Sequence, residues 1–141
     1  MQLEKPAVDV GVVVSDGPEA LAFYRDVLGL EHVADTPFPL GGTIHRLAAG
    51  ESLVKLVVMD APVERPADPG PFTGTAGVRY LTFPVADITA TLEACVAAGR
   101  PVVWPVQEVR PGVWIAMVTD PDGNGVEFLT TTPPRQATDR L

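Results

Sequence analysis

The chain carries one series of local signals twice. An aspartate placed to cap a helix stands at Asp16 and again, 71 residues later, at Asp87. A glycine placed to stop that helix stands at Gly29 and again, 70 residues later, at Gly99. Before each cap lies a run rich in β-branched residues, "VDVGVVV" (8–14) and "VRYLTFPV" (78–85). After the first glycine come "EHVADTPF", "GTIHRLAAG" and "SLVKLVVMD"; after the second come "RPVVWPVQEV", "GVWIAMVTD" and "GVEFLTTT". Short apolar runs bounded by turn residues read as strands. The order is therefore strand-helix-strand-strand-strand, performed twice, and an internal repeat of this kind constrains the fold more than any single motif. Between the copies, "APVERPADPGPFTGTAG" has the proline and glycine content of a linker.

The helix signals are local and mechanistic. Asp16 can accept from the first turn, Glu19 completes a capping-box pattern, and Pro18 suits a position whose N–H is unpaired anyway. Leu21, Tyr24, Val27 and Leu28 fall at helical spacing, and Gly29 supplies a stop. In the second copy Ile88, Leu92, Cys95 and Val96 form the stripe. One helix covers one face of a four-stranded sheet, so the other face must pack on something or line a cavity. The pattern predicts an α+β fold: two βαβββ modules curving into an open trough, with helices outside. The expected boundaries are 7–60 for module 1, 61–76 for the linker, 77–132 for module 2 and 133–141 for a loose tail.

Charge and composition narrow the function. With 141 residues and 46% apolar content the chain can bury a core. A net charge of -8 argues against nucleic-acid binding and permits a cationic ligand. The single cysteine, Cys95, excludes an internal disulfide and a multi-cysteine metal site; its place in an apolar stripe reads as a packed thiol. The start "MQLEKPAVDV" lacks the features of a secretory signal, and no apolar run approaches a membrane span. The expectation is a cytoplasmic protein.

Three stretches, "FYRDVLGLE" (Phe23–Glu31), "VADI" (Val85–Ile88) and "DPDGNGVEF" (Asp120–Phe128), resemble the vicinal-oxygen-chelate superfamily of glyoxalases, bleomycin-resistance proteins and extradiol dioxygenases. The resemblance runs from about Val8 to Leu129. It implies paired βαβββ modules around a U-shaped cavity, a small-molecule ligand and a homodimer. In metal-dependent members, two side chains from each module hold a divalent ion that chelates the substrate. Activities span isomerases, epimerases, dioxygenases, transferases and drug-binding proteins, so the resemblance specifies the fold better than the reaction.

Carried over residue by residue, those ligand positions fall on Asp9, Lys55, Tyr80 and Glu127. Strand alternation sets Asp9, Gly11 and Val13 against the valines between them, and Leu53, Lys55 and Val57 against Val54, Leu56 and Val58. Asp9 and Lys55 are thus expected to face the cavity. Only the two carboxylates are good ligands; a protonated lysine has no lone pair and repels a cation. No metal is expected, and the remaining route to one is Asp9, His45 and Glu127, two acids and an imidazole. The plainer reading of His45 is a hydrogen-bonded strand residue, and His32 is expected at the surface. In place of an ion, Lys55 is expected beside Asp9 and within reach of Glu127. Such a network either holds the modules together or binds a ligand. Phe38, Trp104, Trp114 and, in the linker, Phe72 are candidate ligand contacts, each also a candidate core residue.

Two functional readings follow. One is sequestration of an aromatic or carbonyl-bearing small molecule. The other is metal-independent isomerase or lyase chemistry, with Glu127 or His45 as general base and Lys55 and Tyr80 stabilising an enolate oxygen. A metal-dependent glyoxalase, epimerase or dioxygenase with unusual ligands is the alternative to both.

Overall fold

Among the described residues, eight strands and two helices are arranged as the repeat predicts. In the computed structural model, which describes residues 1–68 and 70–135, strands β1 (Val10–Val13), β2 (Glu31–Pro37), β3 (Gly42–Ala49) and β4 (Ser52–Met59) form one sheet in the order β1-β4-β3-β2. Strands β5 (Tyr80–Pro84), β6 (Val102–Arg110), β7 (Val113–Thr119) and β8 (Gly125–Thr130) form the second in the equivalent order β5-β8-β7-β6. In each, the first strand runs parallel to the last and the others are antiparallel. The fold is α+β, built from two βαβββ modules. Contacts divide the chain into Met1–Pro66 and Ala67–Leu141. The expected tail at 133–141 falls mostly outside the described residues.

Both helices start as the sequence dictates. The backbone N–H of Glu19 donates to Asp16 Oδ1 at 3.0 Å, and that of Ala90 donates to Asp87 Oδ1 at 3.0 Å. Gly29 and Gly99 terminate them with φ of 77° and 79°, conformations open to glycine without a Cβ penalty.

The first helix differs in its middle. After α1 (Gly17–Leu21) the chain widens into π-type turns over Ala22–Val27, with Leu28 N–H reaching back five residues to Phe23 O at 2.9 Å. The wider turn rotates less per residue, so the neighbours Phe23 and Tyr24 both bury, edge to face at 4.9 Å. Of the expected stripe, Tyr24 is buried and Leu21, Val27 and Leu28 are partly buried; the wider turn adds Phe23 to it. In α2 (Ile88–Ala97), Ile88 and Cys95 are buried, but Val96 is exposed, one residue too far round the helix.

Each helix covers one face of its own sheet. Residues paired across strands share a face. Val10 pairs with Val54 and Val12 with Leu56; these, with Leu47, form the side under α1, where Val58 meets Gly17. Under α2 lie Ala116, Val118, Val126 and Phe128, all almost fully buried. Burying one such aliphatic or aromatic side chain contributes about 1.5–3 kcal/mol, so these two sets are each module's principal source of stability.

Candidate functional site

The face of the first sheet turned away from α1 carries the charges. Gly11 pairs with Lys55, and Lys55 pairs with Arg46 on β3. Two residues before Gly11, just ahead of β1, Asp9 reaches the same face, where Oδ1 accepts from Leu53 N–H at 2.8 Å. Strand alternation thus placed both residues. Their partners differ from expectation. Lys5, four residues earlier, pairs with Asp9 at 2.7 Å, while Lys55 makes no ion pair with a carboxylate of its own unit. The hydrogen bond from Lys5, then that from Leu53, hold the Asp9 carboxyl below its ordinary range, and the charge of Lys55 acts in the same direction. Arg46 Nε donates to Thr36 Oγ1 at 3.0 Å.

His45 lies on the other side. It pairs with Leu56, so its side chain shares the α1 face and is not brought to Asp9. There Nδ1 stands 2.6 Å from Asp35 Oδ1, and His32 Nε2 stands 2.6 Å from the same oxygen. His32, expected at the surface, is half-buried in this cluster. Phe38 sits in the β2–β3 turn, its N–H donating to Gly42 O at 2.9 Å.

The uncovered face of the second sheet is aromatic. Tyr80 pairs with Gly125, Thr82 with Glu127, Glu127 with Met117, and Met117 with Trp104. All share one face. A Cβ at Gly125 would meet Tyr80 Cβ at 3.0 Å, so glycine there lets the tyrosine lie close to β8. Thr82 Oγ1 donates to Glu127 Oε1 at 2.9 Å. The strand acid is therefore oriented by a neighbouring hydroxyl. Trp114 pairs with Thr130 and belongs to the opposite, helix-covered face; the structure brings Trp104, and not Trp114, to Glu127.

A loop residue completes this wall. Phe72 stands edge-on to Tyr80 at 5.6 Å and to Trp104 at 5.3 Å. Its loop is tied down by Asp68, which accepts from Gly70 N–H at 2.9 Å and from the Thr75 hydroxyl. Arg79, at the start of β5, approaches Asp68 at 3.7 Å and donates to Thr75 O at 3.0 Å. The Thr75 and Gly70 hydrogen bonds hold the Asp68 carboxyl below its ordinary range, with Arg79 adding to them. Phe72 was a cavity candidate in the linker, but Asp68 was not singled out. The available signal was an aspartate two residues before a glycine in a loop, the local pattern of an Asx turn.

These residues do not fit a divalent ion at the four superfamily positions. The first unit offers Asp9, whose Oδ1 already accepts two hydrogen bonds, and the ammonium of Lys55. The second offers Glu127 and the phenol of Tyr80. Hard divalent ions take anionic or carbonyl oxygens, and borderline ions add imidazole; an ammonium offers neither. Cys95 is fully buried in α2, and burial pushes its thiol up to about 11.

Among the described residues no helix is long and apolar enough to cross a membrane. No curated protein sequence matches the chain. Several solved structures do. The protein SMU.1112c is 26% identical, with a TM-score of 0.72, covering 90% of this chain and 99% of that one. A glyoxalase family protein from Enterococcus faecalis is 23% identical, with a TM-score of 0.69 and coverage of 89% and 98%. Lactoylglutathione lyase from Agrobacterium tumefaciens is 24% identical, with a TM-score of 0.60 and coverage of 91% and 96%. The duplicated βαβββ topology agrees with all three. The sequence model of one family spans residues 7–128, both modules and the segment between them. On that match the chain belongs to the glyoxalase/bleomycin resistance protein/dioxygenase superfamily.

Proposed function

We propose that the protein binds a planar, cationic aromatic molecule on the uncovered face of its second sheet, with no metal at the four superfamily positions. The observation that carries this reading is the position of Phe72, whose ring meets both Tyr80 and Trp104 on the face that carries Glu127. Three aromatic rings and one oriented carboxylate match the general character of a small-molecule site: apolar walls with a few placed polar groups. A cation over such rings is attracted by their quadrupoles, and Glu127 adds a charge of the right sign. The net charge of -8 favours the approach of a cation from solution.

Sequestration is the role these features support best. The lactoylglutathione lyase of Agrobacterium tumefaciens shares the fold at 24% identity. Its name suggests a second reading, in which Glu127 acts as base next to a carbonyl and Tyr80 steadies the oxygen. The Thr82 hydrogen bond, which fixes one oxygen of Glu127, favours that role for the acid. By likeness to the family we also take the chain to be a cytoplasmic homodimer.

A charge series tests the binding site. Tryptophan fluorescence is followed as chelator-treated protein is titrated with N-methylquinolinium, neutral quinoline and quinoline-2-carboxylate. The cation binds tightest and the carboxylate weakest. Glu127→Gln removes the preference for the cation and leaves quinoline unchanged. An equal response to all three compounds would contradict the proposed site.

A further inference from the structure

We propose that His32, Asp35 and His45 form a binding site for a borderline divalent transition ion, of the zinc, cobalt or nickel class, on the α1 face of the first sheet. This site is separate from the superfamily positions and does not depend on the organic-ligand reading.

The first observation is convergence. Asp35 Oδ1 lies 2.6 Å from both His32 Nε2 and His45 Nδ1, and the three donor atoms lie within 4.8 Å of one another. Two imidazoles and a carboxylate form a donor set suited to zinc and its neighbours, and poorly suited to calcium or magnesium. Metal–ligand distances near 2.0–2.1 Å in a tetrahedron require the donors to stand about 3.3 Å apart. The imidazoles are mostly shielded, at 23% and 18% exposure, while Asp35 is 52% exposed and can swing outward to open that space. Three protein ligands leave a fourth position for water.

The second observation is the backbone device that creates the cluster. Residues three apart on a regular strand point to opposite faces. His32 and Asp35 point to the same face because the β2–β3 register shifts between His32 and Ala34. His32 pairs with Leu47, Ala34 with Arg46 and Asp35 with His45, which leaves Val33 unpaired and half exposed. A bulge disrupts a ladder and is found where a side chain must be re-aimed. Here it brings His32 beside Asp35, at the edge strand, where an ion can enter from solvent.

The surrounding charge is compatible. Arg25, on the turns that follow α1 and within the electrostatic reach of Asp35, is engaged by Asp26 at 2.8 Å and 3.3 Å. Its charge is thereby offset. A divalent ion takes the place of these contacts: each imidazole binds as the neutral ring through the nitrogen that faces Asp35, with its N–H carried on the other ring nitrogen.

The chain has only two histidines, so the wild-type protein supplies its own readout. Tag-free, chelator-treated protein is titrated with CoCl2 and then ZnCl2, while the imidazole ring resonances are followed by NMR. Cobalt shifts or broadens both imidazole spin systems together at one equivalent, and zinc displaces it. By calorimetry, His32→Ala and His45→Ala each weaken zinc by more than the roughly tenfold to hundredfold that loss of a ligand's supporting partner costs. Asp9→Asn and Glu127→Gln leave zinc affinity unchanged. Absence of zinc binding at micromolar concentrations, cobalt perturbation of only one ring, or zinc affinity that depends on Asp9 or Glu127 would overturn the assignment.

Discussion

His32 and Asp35, three residues apart on one strand, point to the same side of their sheet and meet at 2.6 Å. The unpaired Val33 between them makes this possible. Deleting Val33 makes His32, Ala34 and Asp35 consecutive in a regular ladder and keeps His32 opposite Leu47, on the side of Asp35. The expected outcome is a folded protein, by circular dichroism, in which cobalt still perturbs both imidazoles; perturbation of His45 alone would contradict the register.

The two N-caps are equivalent in geometry and should be equivalent in worth. Asp16→Ala and Asp87→Ala each remove a bond at 3.0 Å to the first turn. Each is expected to cost about 0.5–2 kcal/mol, read as a lower urea midpoint with an unchanged slope. A much larger loss from one would show that its aspartate does more than cap.

Phe128 is almost fully buried on the α2 face of β8. Truncation to alanine leaves a cavity that the paired strands cannot close, and about 3–5 kcal/mol of stability is lost. Val96→Ala, on the exposed side of α2, should lie within about 0.5 kcal/mol of wild type. Chemical denaturation of both variants checks the assignment of faces.

Cys95 predicts an alkaline limit. Its thiol is ordinarily half ionised at 9.0, and burial raises this to about 11 in the folded chain. The folded state therefore holds the proton that the unfolded state releases. The contribution is fully present below pH 9 and is lost as pH rises through about 11. The Cys95→Ala variant should lack this alkaline fall. Consistent with burial, the native thiol should resist alkylation at pH 8 and react on unfolding.

The repeat made most of the architecture legible before any coordinates. Caps and stops at Asp16, Gly29, Asp87 and Gly99 are local chemistry, which sequence carries directly. So is the alternation that put Asp9 and Lys55 on one face of the first sheet. Ladder register is not local. The register shifts on β2 and β6 decide which way His32 and Trp104 point; Pro105 in "VVWPVQEVR" hints at an irregular strand, and nothing in "EHVADTPF" marks the slip after His32. Trp114 ended on the helix-covered face for the same reason: its side depends on pairing with Thr130, not on its own neighbours. The partner of Asp9 was missed because Lys5 lies outside the repeat, where periodicity says nothing.

The aromatic wall depends on a loop that Asp68 ties down. Asp68→Asn weakens the hold on Gly70 and the Thr75 hydroxyl without touching a ring. The affinity for N-methylquinolinium should fall, while Trp104→Ala costs about 1 kcal/mol or more, roughly fivefold in Kd. If Asp68→Asn binds as tightly as wild type, Phe72 does not need its tether.

The most direct measurement of the central claim is calorimetric titration of chelator-treated protein with N-methylquinolinium, repeated after adding MnCl2. Unchanged affinity in the two titrations, abolished by combining Phe72→Ala with Glu127→Gln, is the predicted result. Binding that appears only after manganese is restored, and that is lost in Asp9→Asn, would contradict it.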